Sequence, residues 1–92
     1  MAKKYYEIGL MKQCSPAEFD FETVDWEDDY EHVAEARKRA VELSSKCPYT
    51  HSGCEIVAVQ ITCHSDEDGV SSYYLHWSET YVKGTMVRRI DY

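Results

Sequence analysis

A chain of 92 residues has room for one modest core, so residues 1–92 are read as a single domain. Seventeen acidic residues against ten basic ones leave a net charge of −7. That balance excludes a general nucleic-acid binder, which needs a basic footprint against phosphates, and favours a protein partner with a basic surface.

The opening, MAKKYYEIGL, carries two lysines but no apolar run of signal-peptide length, and no later segment approaches a membrane span. The expectation is a protein of the (host cell) cytoplasm with no membrane partner and with its four cysteines reduced. Lys4 to Gln13 reads as a first strand, with Tyr6, Ile8 and Leu10 on one face and Tyr5, Glu7 and Met11 on the other. Gly9 in mid-strand weakens pairing and permits a bulge or a close backbone approach. Cys14 to Glu18 is a turn. Ser15-Pro16-x-Glu18 also matches a capping box, but the alternation of Phe19 and Phe21 with Asp20 and Glu22 favours a hairpin into a second strand, Phe19 to Val24.

Asp29 to Lys46 is the expected helix. Val33, Ala36, Ala40, Leu43 and Cys47 recur as one apolar stripe, and Pro48 stops it. Asp28, Asp29 and Glu31 fall at its expected start, where carboxylates suit the positive end of the dipole. Cys47 to Gly53 reads as a loop. Cys54 to His64 is a strand presenting Val57, Val59, Ile61 and Cys63 to one side and Ile56, Ala58, Gln60, Thr62 and His64 to the other. Ser65 to Gly69 forms a turn. Val70 to Val82 follows as a strand with Tyr73, Leu75 and Trp77 on one face and Tyr74 and His76 on the other. Lys83-Gly84 turns into a last strand, Thr85 to Asp91.

The predicted fold is α+β: two layers, an antiparallel sheet of four to five strands with one helix on one face, in the order β-β-α-β-β-β. Val57, Val59 and Ile61 should pack against Val33, Ala36, Ala40 and Leu43. The second sheet face, open in a two-layer domain, should hold some of Tyr5, Ile56, Tyr74, His76 and Met86. Eight tyrosines suit either a contact surface or a half-wet sheet face.

Catalytic signatures are absent from the sequence. Cys47, His51 and Cys54 are zinc-type ligands, but without a tight Cys-x2-Cys knuckle they read equally as core and turn residues. Cys63 and His64, adjacent in a strand, point to opposite faces. Cys54 with His51 is the nearest nucleophile–base pair, and it has no surrounding motif. The clustered carboxylates look solvated rather than split in pKa by burial. The chain is therefore read as non-enzymatic, with no cofactor and no small-molecule substrate; a small structural or Cys/His metal-binding housekeeping domain of phage or bacterial origin is the alternative.

Binding is the remaining class. Asp20, Glu22, Asp25 and Glu27, with Trp26 among them, are not needed to start the helix and are assigned to a partner-binding surface: acids for a basic groove, an aromatic as anchor. Arg88 and Arg89 form a small basic cluster suited to an RNA backbone or an acidic patch, as do Arg37, Lys38 and Arg39; a solvated face explains both as well. A Tyr-rich first strand, the acidic passage FETVDWEDDYEHVAEARKRAVEL, then CEIVAVQITC, YYLHWSETYVKG and TMVRRIDY together resemble the compact anti-CRISPR proteins that phages direct against type I surveillance complexes. The resemblance lies in size and element order over nearly the whole chain, and carries no family residue across. It implies an inhibitor that binds Cas backbone proteins, with their guide RNA as a further contact, and blocks target DNA recognition.

Overall fold

The computed structural model of the chain describes residues 3–66 and 73–92. Strands β1 (Lys3–Gln13) and β2 (Phe21–Trp26) precede helix α1 (Val33–Ser45). Strands β3 (Tyr49–His51), β4 (Cys54–Ile56), β5 (Ala58–Asp66), β6 (Tyr73–Val82) and β7 (Thr85–Asp91) follow. Five strands form one antiparallel sheet in the order β2-β1-β5-β6-β7, while β3 and β4 pair as a separate ribbon. The α+β class and its single helix agree with the sequence reading; the ribbon is an addition. Most of the turn expected at Ser65 to Gly69, and the start of the strand expected at Val70, lie outside the described residues. Among those described, no helix is long and apolar enough to cross a membrane.

Alternation in the strands builds the core. Ile8 and Leu10 of β1, Val59 and Ile61 of β5 and Tyr81 of β6 face Ala36, Ala40 and Leu43 of α1. The two alanines keep the helix close to the sheet, and Leu43 is the large aliphatic side chain that α1 buries. The expected packing holds except at Val33, which is only half-buried at the first turn of α1 and outside the core cluster, and at Val57. Val57 is only half-buried and belongs to no strand, whereas Ile56 is fully buried in the core. The reason is the ribbon. The segment read as the loop Cys47 to Gly53 turns back at Ser52 and Gly53, both at positive φ, and pairs Tyr49 with Ile56. The expected single strand is thereby split, and the alternation restarts at Ala58.

Two further expectations are corrected by pairing. The second strand begins at Phe21 and includes Asp25 and Trp26, because the chain from Cys14 to Asp20 is taken up by the connection, closed by Cys14 N–H donating to the Asp20 carbonyl at 2.8 Å. The helix starts at Val33, not Asp29, with His32 at the cap position and no side-chain cap. Residues 27–30 instead continue alongside β1: Glu27 N–H donates to the Ile8 carbonyl, and Tyr6 and Tyr30 exchange two backbone hydrogen bonds of 2.9 Å. Backbone bonds outweigh the few tenths of a kcal/mol, up to about 1, that a carboxylate gains at a helix N-terminus. In β6 a register shift places Trp77 opposite Cys63 but Leu75 opposite His64, so Trp77 and Leu75 do not share a face as the alternation suggested.

Candidate interaction surface

β2 is an edge strand, so its outer backbone groups face no neighbour in the sheet. It carries the assigned residues Glu22, Asp25 and Trp26, with Asp20 just before it and Glu27 just after. Trp26 is opposite Gly9 in the register, and its ring lies on the glycine: a Cβ on Gly9 would meet the indole at 3.0 Å and the Thr23 methyl at 3.1 Å. The close approach that Gly9 permitted is thus to an aromatic ring. Seated on one face, Trp26 still leaves 49% of its surface exposed.

The carboxylates around it divide into two groups. Glu27 is mostly buried and receives a two-pronged hydrogen bond from Arg39 of α1, at 2.9 and 3.0 Å. That bond raises the guanidinium's already high pKa. Asp25 lies 2.6 Å from His51 of the ribbon and accepts from the Trp26 backbone; these contacts, the histidine's first, hold its carboxyl below the usual range. Asp20 accepts from the Ser15 hydroxyl. Glu22 is exposed and its carboxylate faces the Cys14 thiol, whose pKa it helps to raise, while Asp28 and Asp29 are exposed and make no hydrogen bond or ion pair among the described residues. Trp26, Glu27, Asp28, Tyr30 and Arg39 border an open pocket of about 450 Å³. Sequence pattern did not indicate that pocket, because Tyr30 and Arg39 reach it only through the Tyr6–Tyr30 bridge and the placement of α1.

At the opposite edge, Arg88 and Arg89 do not act together. Successive strand residues point to opposite faces, and Arg89 turns to the helix side. There it donates to Glu79 at 2.6 Å and to Asp91 at 3.0 Å, with its guanidinium 4.6 Å from the Trp77 ring centre. Arg37 binds Glu79 from α1 through two bonds of 2.9 and 3.0 Å and approaches Trp77 from a second direction, at 5.4 Å. Glu79, 2% exposed, also accepts from the Tyr81 hydroxyl at 2.8 Å. Burial pushes its pKa up, but the donors from Arg37, Tyr81 and Arg89 more than offset this, and the net direction is downward. Of the five arginines and lysines assigned to basic clusters, Arg37, Arg39 and Arg89 are committed to internal carboxylates, leaving Lys38 and Arg88 exposed. A buried glutamate in a strand preceding two arginines was the available signal for this lock; the alternation of Trp77, Glu79 and Tyr81 carries it.

The alternative metal set does not assemble. Cys47 packs against the core, where burial raises its thiol pKa, His51 faces Asp25, and Cys54 is opposite His51 in the ribbon. These three do not bring donor atoms within 4.8 Å of one another. All four cysteines are free thiols.

Comparison with known proteins decides nothing further. No protein-family model, curated protein or solved structure matches the chain. The β2 edge therefore stands on its own geometry: one half-exposed aromatic ring, exposed carboxylates along the same strand, and an outer strand edge with no neighbour in the sheet. Such a surface can bind cationic groups.

Proposed function

We propose that the chain is a non-enzymatic binding protein that docks through the β2 edge onto a basic surface of a macromolecular partner. The observation that supports this is the half-exposed Trp26, held in place over Gly9 beside exposed Asp28, with exposed Glu22 and Asp25 on the same edge strand. An immobilised indole loses little entropy on binding, and exposed carboxylates steer a cationic partner toward it. The partner class follows the resemblance in size and element order: a CRISPR–Cas surveillance complex in the host cytoplasm, whose DNA-accepting groove is basic. Occupying that groove blocks target recognition without any reaction.

The test is capture of a purified type I surveillance complex by the tagged chain, followed by competition with target DNA. Binding that weakens with added salt and with Trp26→Ala, and that excludes target DNA, supports the reading. Capture of a surveillance complex that still accepts target DNA, or no capture at low salt, refutes the inhibitor assignment.

A further inference from the structure

Asp29, released from the helix start, has a different neighbour. The antiparallel Tyr6–Tyr30 bridge sets Asp29 opposite Glu7 in register, on the sheet face away from α1. Like charges directly opposed across a strand pair destabilise it. His64 of β5 completes a triangle. Its Nε2 lies 3.2 Å from Glu7 Oε1, and one donor atom from each of Glu7, Asp29 and His64 lies within 4.8 Å of the other two. His64 is only 4% exposed, and the Tyr5 ring stacks on it with centroids 5.7 Å apart, fixing the plane of the imidazole. Asp29, by contrast, is exposed and makes no hydrogen bond or ion pair among the described residues.

We infer that Glu7, Asp29 and His64 form a binding site for a divalent first-row transition ion. Two carboxylates and one imidazole match the donor preferences of this class, and metal–ligand bonds of about 2.0–2.2 Å require donors closer together than 4.8 Å. The required closure is small, and Asp29 supplies it from an exposed position, whereas Glu7 and His64 stand on paired strands. The ion's charge removes the opposition of Glu7 and Asp29, and the exposed side leaves coordination positions for water or for a group on a partner. Neither the thiols nor the β2 acids take part, so this site is independent of the docking proposed above.

Mn²⁺ is the probe of choice, since carboxylates suit it and thiolates favour softer ions, which keeps the four cysteines from competing. Titration of the full chain with Mn²⁺, reading the free ion by electron paramagnetic resonance, should show one saturable site. Asp29→Asn and Glu7→Gln should each weaken it about tenfold or more, and Glu55→Gln, on the ribbon, should leave it unchanged. Thermal melting supplies the second readout. Mn²⁺ should raise the melting temperature of the wild type but not of Asp29→Asn, and without metal Asp29→Asn should melt no lower than wild type. Absence of saturable binding, or binding that survives both carboxylate substitutions, overturns the inference.

Discussion

Glu79 and Glu22 are both strand glutamates in one sheet, each followed by a threonine, yet they have opposite fates. Glu79 lies between α1 and β7, where two guanidinium groups and a hydroxyl converge on it. Glu22 lies on the outermost strand with no such partner among the described residues. The contrast comes from position in the sheet rather than from local sequence. A strand flanked on both sides and roofed by a helix can bury a charge only by completing its hydrogen bonds, while an edge strand leaves the same charge in water. The Glu79 side is thus built for stability, and the β2 side keeps its charge in solvent.

The largest expected effect is on the Glu79 side. Glu79→Ala leaves Arg37 and Arg89 facing each other across Trp77 and should cost about 2–4 kcal/mol in chemical denaturation, below the full value of a buried pair because both guanidinium groups reach solvent. The same lock makes stability pH-dependent. Because the folded-state pKa of Glu79 lies below its ordinary 4.5, the contribution is complete above that value and is lost as pH falls through the depressed one. The acid limb of the stability curve should therefore be flatter in Glu79→Gln than in wild type. A Glu79→Ala protein as stable as wild type would remove the distinction between the two regions.

Next is the turn that pins this side to the helix. Gly84 has φ of +83°, its N–H donates to the Ser44 hydroxyl at 3.0 Å, and a Cβ there would come within 2.7 Å of Ser45 Oγ. Gly84→Ala combines a left-handed conformation with this clash and should cost about 1–2 kcal/mol. Gly53→Ala on the ribbon shares the conformation but meets nothing within 4 Å, so it should cost less. Comparing their denaturation midpoints isolates the contact.

On the β2 side the expected effect is on binding, not on folding. Reversing Asp20, Glu22 and Asp28 to Lys should change stability by no more than about 0.5 kcal/mol per site. Affinity for a basic partner should fall by several kcal/mol, as like charges are brought together. Glu27 is unsuitable for this set, since a lysine there faces Arg39 and disturbs the fold. Arg88→Glu is the matched change at the other edge. If it abolishes capture while the triple reversal does not, the docking surface lies at β7.

How much of this was legible in the sequence depended on the range of the interaction. The helix stripe of Ala36, Ala40 and Leu43 and the rows Ile8–Leu10 and Val59–Ile61 are local periodicities, and they identified the core. The turn at Lys83-Gly84 was marked by its residues. Helix start, strand split and bulge were not legible, because each is decided by a distant partner: Tyr30 by Tyr6, Ile56 by Tyr49, Leu75 by His64. The same limit governs charge. Nothing near Glu27 in sequence announces Arg39, and nothing near Arg89 separates it from Arg88 until the strand has a roof on one face.

The smallest effect tests the same rule with two tyrosines. The Tyr81 hydroxyl donates to Glu79 at 2.8 Å, and burial together with that carboxylate pushes its pKa up to about 12. The Tyr49 hydroxyl is also buried, but finds no hydrogen-bond partner among the described residues, and burial raises its pKa as well. Tyr81→Phe removes a bond to a charged group and leaves Glu79 one donor short, so it should cost about 1.5–3 kcal/mol. Tyr49→Phe removes only a desolvated hydroxyl. It should be neutral or stabilising by up to about 1 kcal/mol. Equal losses from the two substitutions in urea denaturation would mean that Tyr49 has a partner in solution, and that the ribbon, like the Glu79 side, is held by a completed polar contact.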